Sequence, residues 1–81
     1  MKTIKYFSAK WCGPCRTLKP VMEELASEGY SVQFIDVDES NSLTIQYRVT
    51  SVPTVVIEEN GMTVDRFIGS IPKSQVLERL M

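Results

Sequence analysis

The sequence predicts an α/β fold, a four-stranded mixed sheet flanked by three helices in the order β-α-β-α-β-β-α. Three observations predict it. The first half alternates short apolar runs with a stretch of helical apolar spacing. The second half carries two β-branched runs separated by Asn60-Gly61, a strong signal for a two-residue hairpin. The length of 81 residues, 43% of them hydrophobic, suits a single small domain over residues 1–81 with a modest core.

Thr3 to Phe7 reads as the first strand, stopped at Ser8-Ala9-Lys10. A helix then begins at or just after Cys12. Its apolar positions Leu18, Val21, Met22, Leu25 and Ala26 fall on one face, and Gly29 stops it. Pro14 sits in the first turn, where its missing N–H costs nothing, whereas Pro20 lies inside and predicts a kink. Ser31 to Asp38 reads as a strand in which Val32, Phe34, Ile35 and Val37 are nearly continuous, the pattern of a strand covered on both faces. Ser40 or Asn41 caps a short helix that ends near Tyr47. Strands at Thr54–Ile57 and Thr63–Ile68 flank the hairpin turn, Gly69 ends the second, and Pro72 opens a last helix burying Val76, Leu77 and Leu80. The βαβ half requires a right-handed crossover, and the hairpin makes the sheet mixed.

Charge is nearly balanced, with formal net charge -1, but unevenly placed. Lys2, Lys5, Lys10, Arg16 and Lys19 occupy residues 1–20 without a single acid, while residues 21–65 hold nine acids against Arg48 alone. Excess positive charge with interleaved aromatics is absent, so nucleic-acid binding is not expected. Neither a signal-peptide apolar run nor a stretch of about 20 apolar residues occurs, which points to a cytoplasmic protein without a membrane span.

The two cysteines, Cys12 and Cys15, are too few for a disulfide scaffold. Trp11-Cys12-Gly13-Pro14-Cys15 leaves a strand and enters a helix, where unpaired backbone N–H groups and the helix dipole favour a thiolate at Cys12. Lys10 and Arg16 flank the pair and would favour it further; the alternative for both is a solvated surface position. Cys15, one turn further in, is expected to be the more buried. The asymmetry assigns Cys12 as nucleophile and Cys15 as the resolving thiol of a two-step exchange. Gly13 lets substrate approach the backbone, and Pro14 restricts the loop so that dithiol and disulfide forms differ little. Three other readings compete. A structural disulfide would close a loop too short to remove much chain entropy. Zinc needs four ligands, and with no histidine and no second cysteine pair one chain cannot close a site except as a zinc-bridged dimer, so no metal is expected. An inert buried pair is opposed by the Gly-Pro insert.

The motif Trp11-Cys12-Gly13-Pro14-Cys15 resembles the active site of the thioredoxin family, and Pro20 matches the proline in the helix behind it. Val52-Pro53-Thr54 resembles the family's cis-proline loop, and Gly69 the glycine after its last strand. The resemblance runs from about Thr3 to the end and implies a minimal thioredoxin fold with a redox-active Cys12–Cys15 disulfide. It implies a docking surface of Trp11, Pro53 and Gly69, with the backbone of Val52 pairing with an extended substrate segment. It further implies a monomeric protein-disulfide reductase without bound cofactor, recharged by a flavoprotein thioredoxin reductase that uses NADPH and FAD. Disulfide-containing proteins, such as a ribonucleotide reductase, would be its substrates; a non-enzymatic binding module on the same fold is the competing class. In length the chain is similar to glutaredoxins and to compact glutaredoxin-like thioredoxins of archaea and phages, which makes glutathione the alternative electron source. Two positions depart from the pattern. Tyr6 stands where thioredoxins place a buried Asp that assists proton transfer, and Phe34 falls where its partner lysine aligns, so the usual acid/base pair is missing.

Overall fold

The computed structural model describes residues 1–81. Its elements are β1 (Lys2–Ser8), α1 (Gly13–Ser27), β2 (Ser31–Asp36), α2 (Asn41–Gln46), β3 (Thr54–Glu59), β4 (Met62–Ile68) and α3 (Lys73–Leu80). The sheet order is β2-β1-β3-β4, with β1 parallel to β2 and antiparallel to β3, and β3 antiparallel to β4. The expected element order and mixed sheet are both present.

Local chemistry explains the element ends. Cys12 is the N-cap of α1, in extended conformation with φ -90 and ψ 116. Pro20 lies within α1, which continues through it as one helix. At the other end Gly29 takes φ 102, and the N–H groups of Gly29 and Tyr30 donate to the carbonyls of Ala26 (3.2 Å) and Leu25 (3.1 Å), a Schellman closure. In the β3–β4 turn Asn60 (φ 55) and Gly61 (φ 81) both adopt the positive φ that a type I′ turn demands. Along β4 the register slips between Ile57 and Glu58, leaving Val64 as an extra, half-exposed residue opposite no partner. Ser40 precedes α2 as expected, but its side chain makes no capping bond; its carbonyl instead accepts from the Thr44 hydroxyl at 2.9 Å.

Two cores form on opposite faces of the sheet. On one, Ile4, Tyr6, Val55, Ile57 and Phe67 meet α1 through Leu18, Met22 and Leu25, and α3 through Val76. Each such fully buried apolar side chain is worth about 1.5–3 kcal/mol relative to exposure. On the other, Phe7, Ile35 and Val56 are covered by Leu43, Tyr47 and Val49. Lys73 at the start of α3 ties that helix to the end of α1, with Nζ 2.6 Å from Glu24 and 2.5 Å from Glu28. The half-buried ammonium of Lys5 sits 2.9 Å from Glu58, whose other oxygen accepts from the Tyr47 hydroxyl at 2.7 Å. At the start of the sheet the Lys2 ammonium donates to the carbonyl of Met81 at 3.0 Å, so the two chain ends touch.

One expectation fails in an instructive way. β2 is an edge strand, not one covered on both faces; Gln33 is exposed and Phe34 keeps 45% of its surface accessible. The doubly covered strand is β3, where every residue from Thr54 to Glu58 is buried. Phe34 is apolar because it packs sideways, its ring edge-on to Tyr6 at 5.8 Å between centroids. A run of apolar residues thus registers contact with neighbours in the sheet as well as burial beneath a helix.

Candidate active site

β1 ends at Ser8, and a turn closed by the Cys12 N–H donating to the Ala9 carbonyl at 3.2 Å delivers the chain into α1. As N-cap, Cys12 does for α1 what a serine oxygen does elsewhere: its Sγ accepts from the Cys15 N–H at 3.2 Å. The sulfur is therefore held at the positive end of the helix dipole, beside N–H groups that stabilise negative charge. Cys12 and Cys15 form a disulfide with Cα atoms 5.3 Å apart. They cluster with Ala9, against Val37 and Val52. The expected difference in burial is absent, since Cys12 is 4% and Cys15 3% exposed as residues. Both residues are buried, so the asymmetry between them is one of position on the helix rather than of depth.

The loop before β3 completes the rim. The Val52–Pro53 peptide bond is cis, as the family resemblance implied. Thr54 holds this loop by donating to the Ser51 carbonyl at 2.6 Å, and the Gly69 N–H donates to the Pro53 carbonyl at 2.9 Å. The structure thus brings Val52 to the cysteines and joins Pro53 to Gly69. A Cβ at Gly13 would meet nothing within 4 Å beyond its own chain neighbours and helix backbone, leaving this side of the backbone open to approach.

Trp11 is 67% exposed, and its indole N–H donates to Asp38 Oδ2 at 2.9 Å. Sequence reasoning did not find Asp38. The signal was Asp36-Val37-Asp38, in which Asp36 Oδ1 accepts from the Asp38 N–H at 2.8 Å and sets the turn after β2. Lys10 and Arg16 are both exposed and neither hydrogen-bonds a sulfur. The Lys10 ammonium lies 3.5 Å from Glu39, and the Arg16 guanidinium donates to the Lys10 carbonyl at 3.1 Å.

Tyr6 is buried, and its hydroxyl donates to the carbonyl of Cys15 at 2.7 Å. Burial pushes this phenol above its ordinary range, an effect only partly offset by the polar side chain of Ser8. The tyrosine therefore stays protonated and ties the first turn of α1 to β1. Between β1, α1 and β2 lies an open cleft of about 470 Å³, lined by Tyr6, Cys15, Arg16, Phe34, Asp36 and Glu39 among others. No group of three or more metal-ligating side chains occurs, and no helix is long and apolar enough to cross a membrane.

A family model for thioredoxin matches residues 2–81. The thioredoxin of Mycoplasmoides gallisepticum is 40% identical over 81 residues, covering 98% of this chain and 81% of that protein. Thioredoxin from Staphylococcus aureus is 43% identical over 77 residues, 91% of this chain and 74% of that one. Among solved structures, a mutant thioredoxin from Halobacterium salinarum NRC-1 aligns with a TM-score of 0.90 and 37% identity, over 96% of this chain and 70% of that chain. A disulfide set at a helix N-terminus on this sheet, together with these similarities over almost the whole chain, shows that the protein belongs to the thioredoxin family and is a thiol–disulfide oxidoreductase.

Proposed function

We propose that the chain is a reducing dithiol carrier in which Cys12 attacks a substrate disulfide and Cys15 resolves the mixed disulfide. The observation that carries the assignment is the N-cap: Cys12 Sγ, not Cys15 Sγ, accepts the helix N–H bond at 3.2 Å. A thiolate at Cys12 is favoured by that bond and by the dipole, and a favoured thiolate is both the better nucleophile near neutral pH and the better leaving group when Cys15 attacks. Lys10 and Arg16 supply a positive field at the mouth of the site without direct contact. Substrate docks across Trp11, Val52, Pro53 and Gly69, with the Val52 backbone pairing with an extended segment. Gly13 and Pro14 keep the sulfurs within bonding reach in either redox state.

Electrons reach the disulfide from a flavoprotein thioredoxin reductase drawing on NADPH, and leave to protein disulfides, a ribonucleotide reductase among them. The protein works as a monomer in the cytoplasm, whose reducing poise keeps such a dithiol charged. Cys15→Ser is expected to accumulate a stable mixed disulfide with a protein substrate, and Cys12→Ser to accumulate none; the reverse pattern overturns the roles. Turnover of a protein disulfide measured separately with thioredoxin reductase and with glutathione tests the donor. Activity with glutathione alone overturns that part of the reading.

A further inference from the structure

Resolution requires Cys15 to lose a proton, and few groups can take it. The chain has no histidine. The Tyr6 hydroxyl is already committed as a donor to the Cys15 carbonyl, and burial keeps it protonated. Lys10, Arg16 and Lys19, which line the cleft from the β1–α1 turn and from α1, are cations and accept nothing. Two carboxylates remain among the residues that line the cleft with Cys15, Asp36 and Glu39. Glu39 is 67% exposed and paired with Lys10. Asp36 is half-buried at the end of β2, in register with Ser8, and so lies on the sheet face that carries Tyr6. Its Oδ1 is fixed by the Asp38 N–H at 2.8 Å, which orients the carboxylate and leaves Oδ2 outside that bond.

We propose that Asp36 is the proton acceptor for Cys15, working through the solvent of this cleft. The inference rests on Cys15 being the resolving thiol. In the step, the Cys15 thiol gives its proton to the Asp36 carboxylate and the resulting thiolate attacks Cys12 Sγ. The Cys12–substrate S–S bond breaks as the Cys12–Cys15 bond forms. The substrate leaves as a thiolate that takes up the proton, reduced by the two electrons the protein has lost.

A carboxylate acting only by its charge has the opposite effect from one acting as an acceptor. Negative charge beside a thiol raises its pKa, so neutralising a purely electrostatic Asp36 would speed resolution near neutral pH; removing an acceptor slows it. Reduced protein mixed in stopped flow with one equivalent of dithiobis(nitrobenzoate) releases one chromophoric thiolate when Cys12 attacks and a second when Cys15 resolves. Asp36→Asn keeps an oxygen for the Asp38 N–H, and Asp36→Ser supplies a second uncharged variant that can also accept it. Both are expected to slow the second release about tenfold near neutral pH, less than a positioned base in a closed site. The deficit should close at alkaline pH, where hydroxide removes the proton. The first release should not change, and Glu39→Gln should alter neither. A second release that follows the wild-type pH curve or accelerates in the Asp36 variants, or an equal slowing by Glu39→Gln, overturns the proposal. Wild-type protein giving no second release would instead overturn the role of Cys15, and this proposal with it.

Discussion

Tyr6 and Phe34 form an aromatic pair at the two positions where thioredoxins carry a carboxylate and a lysine. The phenol donates to the Cys15 carbonyl, one of the few side-chain bonds in the chain that is both buried and joined to a cysteine. Tyr6→Phe preserves the ring packing and removes that donor, leaving a buried carbonyl without it. We expect a loss of about 1–2 kcal/mol in unfolding free energy, read by denaturant titration. The pH dependence of Cys12 alkylation should not move, because the bond ends on a backbone oxygen and not on a sulfur. A shift in that profile would mean the phenol acts on the thiol itself. Sequence reasoning recognised that Tyr6 and Phe34 were unusual but gave no partner for the hydroxyl. Reaching Cys15 depends on how far α1 lies from β1, a tertiary distance that no local pattern encodes.

Elements were more legible than contacts. Helix α1 was readable at both ends because its stop and start are backbone chemistry: Cys12 at the N-cap, Pro14 in the first turn, and Gly29 past the last one. Gly29→Ala meets no atom within 4 Å of the new Cβ, so only the conformation at φ 102 opposes it. A cost of about 1 kcal/mol is expected, seen as a fall of about 4–8 °C in melting temperature. No fall would mean that α1 ends another way in the variant. The hairpin was legible for the same reason, since Asn60-Gly61 demands its own turn. Strand β2 was not. Val32, Phe34, Ile35 and Val37 have the composition of a central strand, yet strand order is set by which connections cross over, and that placed β2 at the edge and β3 inside. The cysteine pair, Trp11, Pro53 and Gly69 were all singled out from motif; Asp38 was not, because its contact with Trp11 depends on a turn bringing it 27 residues back along the chain.

Across the whole molecule, a few coupled groups set the response to pH. Lys5 holds the Glu58 carboxyl below its ordinary 4.5, and Glu58 in turn holds Lys5 above 10.5. Burial raises Tyr6, and the hydrogen bond to Glu58 raises Tyr47, both from 10.0. A depressed carboxyl contributes stability that is present above 4.5 and is lost as pH falls through its folded value. Raised lysine and tyrosine groups contribute stability that is present below their unfolded values and is lost as pH rises through the folded ones. Unfolding free energy measured against pH should therefore form a plateau that drops on both sides. Glu58→Gln should flatten the acid limb; an unchanged limb would assign it to other carboxylates. The contact between Lys2 and Met81 has a different kind of consequence. It lies at the beginning of β1, whereas the cysteines follow the strand's end, so the termini meet at the pole remote from the chemistry. A linker of a few residues from Met81 to Met1 would close the backbone into a ring, and cutting that ring at the Asn60-Gly61 turn gives a circular permutant whose sulfur chemistry keeps its surroundings.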